Sequence, residues 1–511
     1  MRLKDTGKEP GVAGSFVKNA YRTVRKVYKD SSLKKVYPSR YLAETRKPVK
    51  PGYVVFLEVR EKELSDNFRL IKAALEHRNR VLRTEAFEKG AGGLKGKQGD
   101  YYSFDTVCIR EGMENPASSA ARCMAAIPKI ARAEFVFVSE SSYFLSSLPI
   151  RPETTVIQTW HACGAFKKFG WSTIGKGFGT SAADLEEYPV HRNFSYVTVS
   201  SEEVIWAYAE AFHMEDRIED ILPIGVSRTD LYFHPKMRQN AANRVRRTLI
   251  SRDESLWTEE SPLDDLGGTF GDEDASSGTL DQSGAEDFSG GAEGAGGGAF
   301  AKSGLGAGYA SGETFADRRQ ERVFTNKKLI LYAPTYRGSV REAKSPDQLD
   351  ILQMKKELGD GYLLLIKQHP FVKKKAVIPK EAEDFAYDVS DMRIEDLIMA
   401  SDLLITDYSS IVFEYSLFEK PMLFFACDLE DYEQQRGFYY PVTEMMPGPV
   451  AKTTHDVTRI IRRMDQNFDL VRVREFKYRF MGACDGHVTG RILKLMDTIS
   501  EQKRQEKEKL L

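Results

Sequence analysis

Two α/β domains facing across a cleft are predicted by three features of this 511-residue chain. Short, near-continuous apolar runs alternate with helical stretches, as strands of a parallel sheet covered on both faces do. This pattern occurs twice, and the copies are separated by an acidic Gly-rich stretch that cannot build a core. Polar and cationic residues recur just after the apolar runs, where open α/β sheets hold ligands.

With 41% apolar residues the chain can bury full cores, and its net charge of -1 gives no argument for nucleic acid or another polyionic partner. The five cysteines, Cys108, Cys123, Cys163, Cys427 and Cys484, form no CxxC pair and no zinc spacing, which fits a reducing compartment. No apolar run approaches the roughly 20 residues that span a bilayer, and no signal-peptide core is present. The expected location is the cytoplasm, with a membrane surface as one place to lie.

Residues 1–50 form a basic arm with fourteen Lys and Arg against four Asp and Glu. Phe16, Val17, Ala20, Tyr21, Val24, Val27 and Tyr28 recur at helical spacing, with Lys18, Arg22, Arg25, Lys26 and Lys29 between them. Such an amphipathic helix suits an anionic membrane surface, and it also suits packing on its own domain; the terminal charge bias favours the membrane. Residues 51–235 carry the first α/β domain, with strands at "YVVFLEV", "TVCI", "EFVFVS", "TTVIQTW", "YVTVSS" and "ILPIG" and a capped helix at "SDNFRLIKAALEHR". Residues 250–320 read as a disordered acidic insertion rich in Gly, Ala and Ser. Residues 325–490 carry the second domain, from "KKLILYAPTYR" through "GYLLLIKQHP", "DFAYDVS" and "DLLITDYSS" to "PMLFFACD", and 491–511 form a charged helical tail.

Chemistry is sought where these strands end. In "DLLITDYSS", Asp407, Ser409 and Ser410 make a strand-to-helix turn whose free N–H groups and hydroxyls suit a phosphate or diphosphate, although the same residues serve as ordinary caps. In "LLLIKQHP", Lys367 and His369 are two apart and are expected to face one cleft, a cation and an imidazole beside a transferring phosphoryl group. Arg337 in "LYAPTYRG" can grip phosphate through two N–H groups, and Arg228 and Asp230 in "IGVSRTDLYF" stand similarly near the end of the first domain. "IQTWHACGAFKKFG" presents Trp160, His161 and Lys167. Its local sequence favours packed Trp160 and Phe166 with a hydrogen-bonded His161, yet a His opposite an activated phosphate suits a general base. No carboxylate cluster has metal-ligand spacing, so neither a bound metal nor another cofactor is expected.

The ordered set "SDN", "QTWHACGAFKKFG", "GVSRTDLYF", "LYAPTYR", "IKQHPF" and "DLLITDYSSIVFEYSLFEKPMLFF" resembles the CDP-glycerol glycerophosphotransferase family of teichoic-acid primases and polymerases, over about residues 53–490 without the insertion. The resemblance implies a GT-B fold of two Rossmann-like domains on the cytoplasmic face of a membrane. It implies transfer of glycerol phosphate from CDP-glycerol to a hydroxyl of a lipid-linked or poly(glycerol phosphate) acceptor, with release of CMP. The two essential histidines of the family fall on His161 and His369, and its diphosphate-binding turn on Asp407, Ser409 and Ser410; Arg337 and Lys367 join the donor side. Trp160, Lys167, Arg228 and Asp230 are candidates for acceptor or phosphate contact. Many such enzymes read W-H-G-T-P-x-K where this chain has Ala162, Cys163, Gly164, Ala165 and Phe166 before Lys167, so this loop is expected to shape the acceptor side. Open alternatives are a CDP-ribitol donor, a GT-B nucleotide-sugar glycosyltransferase and an inactive membrane-bound scaffold. Self-association into a homo-oligomer is left open.

Overall fold

The computed structural model describes residues 23–24, 26–88, 101–176, 181–258, 323–324, 326–338, 342–346, 349–464 and 468–510. The start of the basic arm, with Phe16 to Tyr21, and the acidic insertion from 259 to 322 lie outside the described residues.

Strands β1 (Tyr53–Glu58), β2 (Ser103–Cys108), β3 (Phe135–Val138), β4 (Thr155–Gln158), β5 (Tyr196–Thr198) and β6 (Ile221–Leu222) form a parallel sheet of order β2-β1-β3-β4-β5-β6. The two-residue strands β7 (Trp257–Thr258) and β8 (Val323–Phe324) pair antiparallel. A second parallel sheet holds β9 (Lys328–Tyr332), β10 (Tyr362–Ile366), β11 (Ala386–Asp388), β12 (Leu403–Thr406), β13 (Met422–Phe425) and β14 (Val450–Ala451), in the order β11-β10-β9-β12-β13-β14. The helices used below are α1 (Asp66–Glu88), α2 (Pro235–Arg252), α3 (Ile394–Ala400), α4 (Ile411–Ser416), α5 (Leu429–Arg436) and α6 (Val488–Leu510).

The strands read as unbroken apolar runs because both faces of each sheet are buried. On β1, Val54 and Phe56 pack with Phe68 and Ile71 of α1, while Val55 and Leu57 turn to the other face with Ile127 and Ile130. In the second sheet Ile330, Leu364 and Ile405 pack on one side with Met354 and Val457; Leu331, Leu365 and Leu404 pack on the other with Leu397 and Val412. Strand β14 has only two residues, too short for any periodicity to announce it.

Two segments differ from their sequence reading. Residues 250–258, placed with the insertion on composition, complete α2 and lead into β7, with Leu249 and Leu256 buried and Asp253 accepting the Tyr387 hydroxyl at 2.7 Å. The stretch 491–510 is helical and charged as expected, but it is the body of α6 and packs on the first domain. Val488, Ile492, Met496 and Ile499 recur at helical spacing and are buried against Val54, Phe56 and Phe137 of the first sheet. The chain thus returns from the second domain to close the first.

Candidate active site

The carboxyl end of β4 delivers His161. Trp160, just before it, has φ +51, a left-handed conformation that costs a bulky residue energy and persists only where its surroundings impose it. Its N–H donates to Gln158 Oε1 at 2.8 Å, its carbonyl accepts from Asn67 Nδ2 at 3.0 Å, and its ring packs against Phe169 and Phe212. Asn67 Oδ1 also accepts the N–H of Arg228 at 3.0 Å, so one buried amide fixes two strand-end segments. The strained turn leaves His161 exposed at its own surface yet set deep in the protein, the position of a side chain on a cleft floor. Burial pushes its imidazole down to about 4, and Arg228 and Arg60 push the same way; hydrogen bonding to the Ser139 backbone opposes them. At neutral pH the ring is therefore uncharged. One nitrogen committed to a backbone carbonyl leaves the other free to accept a proton.

His369 follows β10 in the second sheet, between the rings of Tyr336 (4.7 Å) and Phe371 (4.8 Å). Its Nδ1 accepts the N–H of Phe371 at 3.2 Å, which puts the proton of the neutral ring on Nε2. Burial, then Lys167, Arg436 and Lys367, push this imidazole down to about 4. Lys167 belongs to the first domain, so the loop after His161 carries charge across to His369. Lys167 Nζ lies 3.3 Å from the Tyr432 hydroxyl, and residue 167 bridges Phe438 in antiparallel fashion.

Several expected donor contacts are already engaged. The charge of Lys367 acts on the His369 ring, yet its ammonium is tied to protein. Lys367 Nζ donates to the carbonyls of Ser390 (2.8 Å) and Met392 (2.5 Å), bracing the turn after β11. Arg337 is corrected more sharply. Its Nε and one terminal nitrogen hold Asp428 at 2.6 and 2.9 Å, that same nitrogen holds Asp407 at 2.9 Å, and the other holds the Thr335 carbonyl and hydroxyl at 2.8 Å each. All five guanidinium donors are spent on protein, so Arg337 fastens the turn and leaves no N–H for phosphate. Asp407 is likewise a tie: Oδ1 accepts from the Thr335 and Tyr408 N–H groups, and Oδ2 from the Thr335 hydroxyl and Arg337. What this framework presents is the start of α4, where Ser409 and Ser410 are half-buried and Ser410 caps the helix without spending its hydroxyl on a cap bond.

Arg228 and Asp230 also have structural partners. Arg228 Nε pairs with Glu414 of α4 at 2.9 Å, and the Tyr232 hydroxyl donates to the same carboxylate oxygen at 2.7 Å. Asp230 accepts the N–H groups of Val488 (3.0 Å) and Thr489 (2.7 Å) and so caps α6. The 162–164 loop, expected to shape the acceptor side, turns toward the second domain. Gly164 has φ +62, and a Cβ there would stand 2.3 Å from the Phe413 ring of α4.

The residues that sequence reasoning missed are Asn67, Asp428 and Arg436. Asn67 stood in a quoted motif and carried no role; Asp428 and Arg436 lie outside any strand-end pattern around β12. Arg436 of α5 lies over the Tyr336 ring at 5.4 Å, beside His369. Among the described residues no group of three or more His, Cys, Asp and Glu side chains is arranged to hold a metal ion.

Both sheets carry their candidate histidines past carboxyl ends, His161 after β4 and His369 after β10, each one strand away from the switch point of its sheet, which lies between β1 and β3 in the first and between β9 and β12 in the second. The same architecture occurs in the solved structure of the wall teichoic acid polymerase TagF, at a TM-score of 0.58 and 20% identity over 95% of this chain and 98% of that one. The chain is 31% identical to the teichoic acid ribitol-phosphate primase of Bacillus spizizenii over 87% of its own length and 90% of the primase. It is 27% identical to the teichoic acid glycerol-phosphate primase of Bacillus subtilis, over 71% and 74% of the two chains. It also matches the teichoic acid poly(ribitol-phosphate) polymerase of Bacillus spizizenii at 30%, spanning 56% of that longer protein. The model of the CDP-glycerol:poly(glycerophosphate) glycerophosphotransferase family matches residues 39–256 and 313–497, and with two GT-B-like domains carrying a histidine at each inner strand end, the chain belongs to that family of teichoic-acid primases and polymerases.

Proposed function

We propose that the protein transfers glycerol phosphate from CDP-glycerol to a hydroxyl of a lipid-linked or polyol-phosphate acceptor and releases CMP. The observation that carries this reading is the placement of His161 after β4 and His369 after β10, in two domains joined by the Lys167 loop, which meets Tyr432 and Phe438 of the second domain. The acceptor hydroxyl gives its proton to the free nitrogen of His161 as its oxygen bonds to the polyol-bearing phosphorus. The bond from that phosphorus to the bridging oxygen breaks, and the electron pair leaves with CMP. His369 Nε2–H donates to an oxygen of the transferred phosphate, while Lys167 and Arg436 offset its charge. The start of α4 is suited to the diphosphate, and Arg337, Asp407 and Asp428 keep that turn rigid.

A second reading, ribitol phosphate from CDP-ribitol, is favoured by the match to nearly the whole ribitol-phosphate primase. The test supplies purified protein with CDP-glycerol or CDP-ribitol and a polyol-phosphate acceptor and follows CMP. One donor is expected to yield CMP, with His161→Ala reducing turnover on the order of 100-fold or more while donor affinity is retained. Near-parental turnover in that variant would remove the base assignment.

The reading also places the protein at the cytoplasmic face of a membrane through its basic arm. In the described part of the arm, Val24 and Val27 face solvent, whereas Lys26 and Lys34 share Glu187 and Lys29 lies over the rings of Tyr143 and Tyr188. Deleting residues 1–22, which leaves these contacts intact, is expected to release the protein from anionic liposomes in a flotation assay. Undiminished flotation would refute the anchor.

A further inference from the structure

The two walls of the site differ in charge. Around His369 stand Lys167, Arg436 and Lys367. Around the switch point of the first sheet stand carboxylates: Glu58 at the end of β1, Glu61 just beyond it, Glu140 two residues after β3, and Glu111. Arg60 lies among them, with its Nε 2.8 Å from Glu140 Oε2. The pair is open to ligand, since half of the Arg60 side chain is exposed and Glu140 is partly so. It is also close to the proposed base. Ser139, whose backbone hydrogen-bonds His161, immediately precedes Glu140, and the charge of Arg60 is felt at the His161 ring.

We propose that the Arg60–Glu140 pair is a polyol subsite that holds the terminal hydroxyls of the acceptor beside His161. A phosphate placed there would meet Glu140 and Glu61 as like charges. Adjacent hydroxyls, in contrast, donate to a carboxylate and accept from a guanidinium, the two functions that this pair sets side by side. Glu58 supports the site from below: it is fully buried and accepts from Ser65 N–H (2.7 Å) and the Ser139 hydroxyl (3.0 Å), tying the ends of β1 and β3 together. Burial pushes the Glu140 carboxyl up to about 7, with Arg60 pulling it down and Glu61, Glu58 and Glu111 pushing it further up. Hydroxyl donors would relieve this crowded carboxylate; another anion would add to its load.

The subsite rests on the reading of the protein as a polyol-phosphate transferase, and its test separates the two. The full-length protein and Glu140→Gln are titrated, without donor, with a short glycerol-phosphate oligomer ending in a vicinal diol and with the same oligomer lacking one terminal hydroxyl. Protein fluorescence reports binding. The parent should bind the diol about tenfold more tightly than the deoxy form, and Glu140→Gln should lose most of that discrimination; circular dichroism checks that the variant is folded. Equal discrimination in the two proteins, or none in the parent, overturns the subsite. In the turnover assay KM for the acceptor should rise about tenfold in Glu140→Gln, with KM for the CDP-polyol within twofold of the parent. A rise confined to the CDP-polyol would assign the hydroxyls to the donor and overturn the acceptor placement. If diol discrimination holds but neither CDP-polyol yields CMP, the transferase reading fails and the hydroxyl subsite stands.

Discussion

His161 shows how much of a residue's chemistry its sequence neighbours conceal. Its flanking aromatics do pack, as the local sequence favours, but Trp160 packs in a left-handed conformation and the His161 ring beside it stays exposed. The result is a base that is neutral across the physiological range. With the ring pushed down to about 4, its basic form is lost only as pH falls through that value, not through the ordinary histidine range near 6.5. His369 behaves alike, also at about 4. With the acceptor saturating, so that titration of Glu140 near 7 does not enter, kcat/KM for the CDP-polyol is therefore expected to stay level from pH 7 to about 5 and to fall below that. An acid limb centred near 6.5 would show that His161 is not held neutral in the way described. The histidines and serines were legible from the sequence because their identity and their place after an apolar run are local facts. The engagement of Arg337 was not, because its partners Asp407 and Asp428 lie 70 and 91 residues away.

At the level of elements, α6 is the clearest departure from a linear reading. Its sequence is rich in Lys, Glu and Gln, and the four buried apolar positions are easily lost among them. Those positions cover the first sheet, and Asp230 caps the helix start from within the first domain. Ile492 is fully buried, so Ile492→Ala is expected to cost about 2 to 5 kcal/mol in a urea titration, as deletion of a packed aliphatic side chain does. A free charged tail would show no such loss. The strands, by contrast, were legible almost throughout, because burial on both faces leaves unbroken apolar runs. The two-residue strands β8 and β14 escaped, and so did the 250–258 segment, which the sequence reading had joined to the acidic insertion.

For the whole molecule, many long-range contacts tie the two domains, three of them centred on charged or paired segments. Arg228 and Tyr232 of the first domain meet Glu414 of α4, Arg393 beside α3 meets Asp66 of α1, and the 166–168 segment pairs with 437–439. The Arg228–Glu414 pair is nearly excluded from solvent, and each charge stabilises the other: the guanidinium is raised and the carboxyl lowered. Glu414→Ala strands a buried cation and is expected to cost about 3 to 5 kcal/mol by urea titration, whereas replacing both residues with Met should restore most of it. A loss of the same size in the double variant would show that packing, rather than the uncompensated charge, dominates. Taken alone, the sequence determined the parallel sheets, the two-domain order and the reactive residues at the strand ends, because hydrophobic periodicity and residue identity are properties of neighbours along the chain. Only the tertiary structure decided which of those residues are open to a ligand. Apart from Thr335, two residues from Arg337, the partners cited for Arg228, Arg337, Lys367 and Asp230 come from 23 to 259 residues away, and folding alone brings them within hydrogen-bond reach.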